Sequence, residues 1–421
     1  MTAVPLPRVL ALTGVAYSAS ILFLIVSKTP LGAPAFFVTT AVMTAAYALM
    51  LWRVWGEPRA EHRLLFIAFA LAVAFRLPPA LAPVGPDNDM VRYLWDGRVQ
   101  RLGYNPYALK PSDPALIHTH SAQSLVMPSR HDRTPYPPAA QLFFRLVVTL
   151  SDSTLAMKLA LVLCDLLTMV VLWRWLAVMG RSEWLTLAYA WNPLVVLEVS
   201  HSGHMDALGA LWIVTAAFWL TRRRTMLASI AFVLAIASKL LPIVLAPLFI
   251  GRIRIRDAVA GALLLMLLYL PFASWDAIPL GAVPNVVERV RFNSPIFSTI
   301  AALTMPRGAA AFALIAGLLA AMWARWRLPE TDPVAWAWPM ALALISAPVI
   351  YPWYLLYLTP FLFTIGTLPL TAWSVSALSV YEVWNRSRQG GRWIVPGVVQ
   401  AFEFGTFLIA SGVIWIKNRT Q

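Results

Sequence analysis

The chain has 421 residues, of which 60% are hydrophobic and only 12% charged, and its net charge is +14. A soluble globular domain carries about a quarter charged residues, so the composition excludes an ordinary soluble fold and predicts an all-α, polytopic integral membrane protein. The basic excess falls in short connections between apolar runs, as the positive-inside rule requires, and no basic run is interleaved with aromatics, so nucleic acid is not an expected partner.

A spanning helix needs roughly 20 mostly apolar residues, which leaves room for about 12–14 spans here. The whole of 1–421 reads as one polytopic membrane domain. Residues 9–26, 35–52 and 64–82 are the first three spans. Arg8 precedes an apolar run without a small-residue cleavage site, so the first is read as a retained span and not a signal peptide. Counting from a cytoplasmic N-terminus, residues 83–138 form a large outer loop. Residues 139–150 are apolar but too short to cross, which suggests an interfacial or re-entrant helix.

Spans follow at 155–179, 184–199 and 205–220, and TRRR at 221–224 marks the inner side. The run 226–250 is broken at Ser238–Pro242, giving two shorter helices with Lys239 near an outer turn. GRIRIRD (251–257) is again inner. Residues 258–272 exit to a second outer loop, 273–295. Residues 309–323, 334–350, 355–365, 368–380 and 398–416 complete the set. One basic loop, 385–392, comes out on the outer side. Either a short helix is misassigned or the loop is unremarkable, which are the favoured readings, or its arginines serve a substrate phosphate or lipid. The only cysteine, Cys164, lies in an apolar helix, so no intrachain disulfide forms.

Four outward-facing clusters carry chemistry. The first is GPDNDMVRYLWDGRVQRLGYNPY at 85–107. Asp89 and Asp87 are carboxylates just beyond the third span, suited to act as a general base on a sugar hydroxyl. Arg92, Arg98 and Arg101 suit bidentate contacts to phosphate. The bland alternative is a solvated loop whose charges pair with each other. The second cluster joins GYNPY, with Tyr107, to TPYPPAAQLFF at 134–144, aromatics fit for an interface. The third, around 191–208, contains Glu198, His201, His204 and Asp206. His-x-x-His can present two metal ligands, but no third completes the set. An acid within an apolar run, such as Glu198, faces a cavity or a partner. The fourth is SKLLP, where Lys239 either snorkels to the headgroups or meets a lipid-linked phosphate. Arg291 in the second outer loop and Tyr351 in YPWY add to the set. His118, His120, His131 and Asp132 make a possible metal cluster in the first loop, which their irregular spacing disfavours.

In this order the motifs resemble the GT-C superfamily of membrane glycosyltransferases. The nearest likeness is to bacterial polyprenol-phosphate-mannose-dependent mannosyltransferases of the lipoglycan type. The resemblance rests on Asp89-Met90-Val91-Arg92-Tyr93, Trp95-Asp96-Gly97-Arg98-Val99, Gly103 to Tyr107, Tyr136-Pro137-Pro138, Asn192-Pro193, Gly203-His204-Met205-Asp206, Lys239 to Pro242, and Tyr351-Pro352-Trp353-Tyr354. It implies a GT-C-like arrangement with large extracytoplasmic loops in the bacterial cytoplasmic (inner) membrane. It also implies an inverting transfer of a sugar, mannose first among candidates, from a polyprenyl monophosphate donor to a glycan or glycolipid acceptor. Asp89 best matches the family's base, with Asp87 second. Arg92, Tyr93, Asp96, Arg98, Tyr107, His204, Asp206, Lys239, Arg291 and Tyr351 are the implied donor-phosphate and substrate contacts. No metal ligand is assigned, although the D-x-D formed by Asp87 and Asp89 leaves a divalent metal open. Membrane lipid is the further partner. A transporter or flippase of a lipid-linked sugar, or a polymerase using diphosphate donors, would share the polytopy.

Overall fold

The computed structural model describes residues 4–84, 89–127, 129–274 and 280–419. These form helices and no strand; one isolated bridge joins Phe292 to Val349. Three antiparallel helices open the chain: α1 (Leu6–Val26), α2 (Pro34–Val54) and α3 (His62–Leu81). After α3 the chain forms α4 (Met90–Arg101), an extended stretch with short 3-10 turns, and α5 (Pro138–Leu150). At 13 residues, α5 reaches about 20 Å, too short to cross. It packs along α4 instead. Gly97 permits that contact, because a Cβ there would lie 2.6 Å from the Phe144 carbonyl oxygen.

Next come α6 (Thr154–Val178), a broken segment, α7 (Asp206–Thr221) and α8 (Thr225–Ser238). The sequence predicts one span over 184–199. The structure instead divides this region into a 3-10 turn Glu183–Thr186, short turns Leu187–Ala190 and Pro193–Val195, and a π-helical turn Val196–His201. Pro193 supplies no amide, and Asn192 caps the restart through its Oδ1, which accepts from the Leu194 amide at 3.0 Å. The run 226–250 also divides, at Lys239, and the return limb is 3-10 over Leu241–Phe249 with Pro242 and Pro247 inside it. The remaining helices are α9 (Ile255–Tyr269), α10 (Val283–Arg289), α11 (Pro295–Arg327), α12 (Pro333–Ile345), α13 (Leu368–Ser376), α14 (Glu382–Arg388) and α15 (Gly397–Arg419). Helix α11 starts 14 residues before the predicted span at 309 and breaks at Met305, whose φ is 66°.

Among the described residues, seven helices are long and apolar enough to cross a membrane, so the chain is a multi-pass membrane protein. The expected further spans correspond to shorter or broken elements. Many are buried in the bundle interior, where lipid does not dictate their length. One apolar cluster runs from Val9 to Phe407. The two ends of the bundle differ. One, here the basic end, gathers Arg223, Arg252 and Glu330, with Arg325 Nε donating to the Ile250 carbonyl at 2.6 Å. The other, the loop end, holds α4, α5, α10 and α14. Residues 385–392 do lie at the loop end, since Arg388 Nη2 donates to the Leu31 carbonyl at 2.6 Å in the α1–α2 link.

Deep in the core, Arg76 of α3 is ion-paired to Asp165 of α6, both fully buried. Arg76 Nη1 also donates to the Ala72 and Ala190 carbonyls at 2.8 and 2.9 Å. The Tyr189 hydroxyl donates to Asp165 Oδ1 at 2.7 Å. The pair thus ties two helices to the broken segment. Removing one member leaves a buried charge alone, which costs about 3–5 kcal/mol. Asp165→Asn should therefore lower the melting temperature of the detergent-solubilised protein well below that of surface variants.

Candidate functional site

Asp89 initiates α4: its backbone carbonyl accepts the Arg92 and Tyr93 amides at 2.9 and 3.1 Å. Positions 89, 92, 93 and 96 follow the i, i+3, i+4, i+7 spacing of one helix face. Arg98, nine residues past Asp89, is half a turn out of phase and faces the other way. It makes a bidentate pair with Asp152 (2.8 and 2.9 Å) and donates to the Thr119 carbonyl.

Arg92 is almost fully buried. Its Nε donates to Asp96 at 2.7 Å, and its Nη1 to the Ser129 and Asp132 carbonyls, both at 3.1 Å. Its Nη2 is buried without a partner. Asp96 is a scaffold acid. It also accepts from the Thr134 hydroxyl at 2.6 Å and from Gln141 Nε2 at 2.8 Å. Tyr93 stacks on Phe144 at 4.6 Å and meets Tyr136 edge-on at 5.1 Å. Tyr107 is also scaffold: its hydroxyl donates to the Tyr136 carbonyl at 2.6 Å and its ring packs on Phe272.

Against the N-terminus of α4 stand the start of α7 and the end of α8. Asp206 is ion-paired with Lys239, whose ammonium lies 3.6 Å from the centre of the Tyr354 ring. Asp89 is within electrostatic reach of both and of Arg92, and the Tyr136 hydroxyl bonds its carboxyl. Burial pushes the Asp89 carboxyl up to about 6; Asp206 pushes the same way, while Lys239, Arg92 and Tyr136 oppose. The side chain is nonetheless only half-buried.

His204 stacks on Trp353 at 3.9 Å, and Trp353 stacks on Tyr351 at 4.4 Å. Its Nε2 is 3.3 Å from Glu198, which accepts the Tyr381 hydroxyl at 2.8 and 2.9 Å. Tyr351 stacks in turn on Phe292, and Trp384 and Trp393 close the same wall. The structure thus brings together Asp89, Arg92, Tyr93, His204, Asp206, Lys239 and Tyr351. Arg98 lies apart from them. Arg291 is turned onto its own chain, with Nη1 donating to the Val287 and Val290 carbonyls. Asp87 lies outside the described residues.

Sequence reasoning named Tyr354 only as part of the YPWY motif and did not single out Tyr381, Trp384 or Trp393, which come from far along the chain and carry no local pattern beyond being aromatic. Among the described residues no group of three or more His, Cys, Asp or Glu could hold a metal ion. His120 bonds the Pro111 carbonyl and Ser124, and Asp132 bonds Asn285.

Helix α7 begins low in the bundle. Trp175 Nε1 donates to Thr221 Oγ1 at 2.9 Å, which aligns the far ends of α6 and α7. From that level α6 continues to Thr154 but α7 only to Asp206, six fewer residues, or about 9 Å of helix. The Asp206–Lys239 pair is therefore recessed below the rim that α6 reaches.

These features define a multi-pass membrane protein with a recessed carboxylate, cation and aromatic cluster at one end. The model of the N-terminal domain of alpha-(1->6)-mannopyranosyltransferases matches residues 10–256, more than half of the chain, and the chain belongs to that family. It is therefore a glycosyltransferase of mannosyl groups. No curated protein and no solved structure matches it. Every charged group of the cluster falls inside the matched stretch.

The pairing of Asp206 with Lys239 generates a test. Lys239→Gln should lower the melting temperature by stranding Asp206. Adding Asp206→Asn should recover about 1–3 kcal/mol of that loss, read as a double-variant cycle of thermal melts. No recovery would show that the two side chains do not act as a pair.

Proposed function

We propose that this mannosyltransferase is an inverting enzyme that takes its sugar from a polyprenyl monophosphate donor. It transfers it to a lipid-linked or glycan acceptor at the outer face of a bacterial cytoplasmic membrane, the loop end being extracytoplasmic. The observation that carries the reading is the half-buried Asp89 carboxyl at the start of α4, within electrostatic reach of Lys239 and of Arg92, which has a spare Nη2 donor. Basic residues gather at the opposite end, which suits a cytoplasmic position for it. The recess is suited to a phosphate carried on a lipid.

In this reading Asp89 accepts the proton of the acceptor hydroxyl as that oxygen bonds the anomeric carbon. The bond from the anomeric carbon to the phosphate oxygen breaks on the opposite face, and polyprenyl phosphate leaves with the electron pair. Arg92 and Lys239 offset the charge that develops on it, where low solvent access strengthens each contact. Tyr136 orients the carboxylate, and Tyr93, bonded to Tyr136, holds that hydroxyl in place. His204, flat on Trp353, and Tyr351 line the path of the sugar. Asp206 holds Lys239 in place.

Two outcomes are expected. Asp89→Asn should lower transfer by ~10²–10⁴-fold, the contribution of one general base, while the protein still folds and binds donor; retained transfer overturns the assignment. The Asp89 carboxyl is pushed up to about 6, and the base acts only when ionised. The pH profile of kcat/KM should therefore fall on the acid side below about 6 and rise to a plateau above it.

A further inference from the structure

The two long connections meet in a seam that the transfer mechanism does not use. Gly281 of the second connection has a φ of 53° and packs its α-carbon against the Thr134 carbonyl, leaving no room for a side chain. The Ala282 amide donates to the same carbonyl at 3.1 Å. Beside this contact lies a cavity of about 400 Å³. Lys110 and Arg133 enter it from the first connection and Arg289 from the second, with the His131 imidazole next to them. Among the described residues its only acid is Asp132, whose Oδ1 accepts from Asn285 Nδ2 at 3.0 Å.

Among the described residues, Lys110, Arg133 and Arg289 have no carboxylate partner and no side-chain hydrogen bond, whereas Arg98, Arg307 and Arg386 at the same end are all ion-paired. Three unpaired cations around one cavity repel each other, and an extracytoplasmic loop is where basic residues are disfavoured. A phosphate group resolves both conflicts, with charge-assisted hydrogen bonds from two guanidinium forks and an ammonium.

We infer that this cavity binds a phosphate ester, and that it docks the anionic end of the acceptor substrate. The placement on the acceptor side rests on the proposed function, which gives the donor phosphate to Arg92 and Lys239. The site is joined to that chemistry. The Asp132 carbonyl accepts from Arg92 Nη1, and the Thr134 hydroxyl bonds Asp96, the other anchor of Arg92. An anion drawn into the seam thus bears on the peptide that fixes the catalytic arginine.

The test uses the full-length protein in phosphatidylcholine nanodiscs and the triple variant Lys110→Gln, Arg133→Gln, Arg289→Gln. Inorganic phosphate and glycerol 1-phosphate are titrated and followed by phosphorus NMR. In a second arm phosphatidylglycerol is mixed into the disc and the lipid retained on the protein is measured. Wild-type protein should bind at least one of these probes, less tightly as salt is added. The variant should lose about tenfold or more in affinity. Binding of the soluble esters identifies a headgroup that is read in solution, and retention of phosphatidylglycerol alone identifies one read at the bilayer surface; either supports the site. Absence of binding to every probe, or equal binding by the variant, overturns it. Transfer from polyprenyl-phosphate mannose to an uncharged alkyl mannoside should be the same in both proteins. Its absence from both would count against the proposed function and leave the binding result standing.

Discussion

A helix that stops inside a membrane bundle leaves backbone amides and carbonyls that lipid cannot satisfy, and the loop end of this protein is organised around that constraint. The chain breaks between α6 and α7, again after α8, and again after α12. At each break side chains and prolines take over. Asn192 caps a restart, Lys158 Nζ donates to the Pro79 and Ala82 carbonyls at the end of α3 (2.6 and 2.8 Å), and the return limbs after Lys239 and Tyr351 are tight 3-10 turns. Breaking the interior helices lets Asp206, Lys239, His204 and Tyr354 converge on one point, which unbroken spans would have placed apart.

Two buried ion pairs show how the same contact serves different ends. Arg76 and Asp165 are sealed, with carbonyls and the Tyr189 hydroxyl taking up the remaining hydrogen bonds. That pair can only hold helices together. Asp206 is equally buried, but Lys239 keeps about a fifth of its side chain exposed and has an aromatic face on its other side. Arg92 likewise combines three anchored contacts with one spare donor. A cation anchored on one side with a donor left over, exposed in Lys239 and buried in Arg92, has little side-chain entropy left to lose when an anion binds.

Much of this was legible in the residues. Hydropathy located the long helices to within a few positions, except α11, which starts 14 residues earlier than predicted, and α5 was recognised as too short to cross. The segment 83–138 and the motif headed by Asp89 lie where the structure gathers the candidate site. Helical phase within the motif separates Arg92 from Arg98, although composition alone treats the two arginines alike. The broken interior elements were less legible: residues 184–199 look like one apolar span, and only Pro193 hints otherwise. The YPWY motif named Tyr351, but the rest of the aromatic wall was invisible locally, since Tyr381, Trp384 and Trp393 reach it through tertiary packing of segments dispersed among many apolar ones. The basic loop 385–392 looked anomalous because topology statistics describe averages, whereas it lies beside Trp384 and Trp393 at the rim of the cluster.

The long helices α9, α11 and α15 expose most of their apolar residues, including Leu263, Leu267, Ile315, Leu319, Ile409 and Val413, while α7 and α8 are largely enclosed. Bilayer thickness is therefore felt first by the perimeter. A thicker or thinner membrane would be met by tilt or local adjustment of those helices, each ångström of mismatch costing only a fraction of a kcal/mol. Shielded from that strain, the interior elements can keep the spacing between carboxylate and cations constant in envelopes of differing lipid composition.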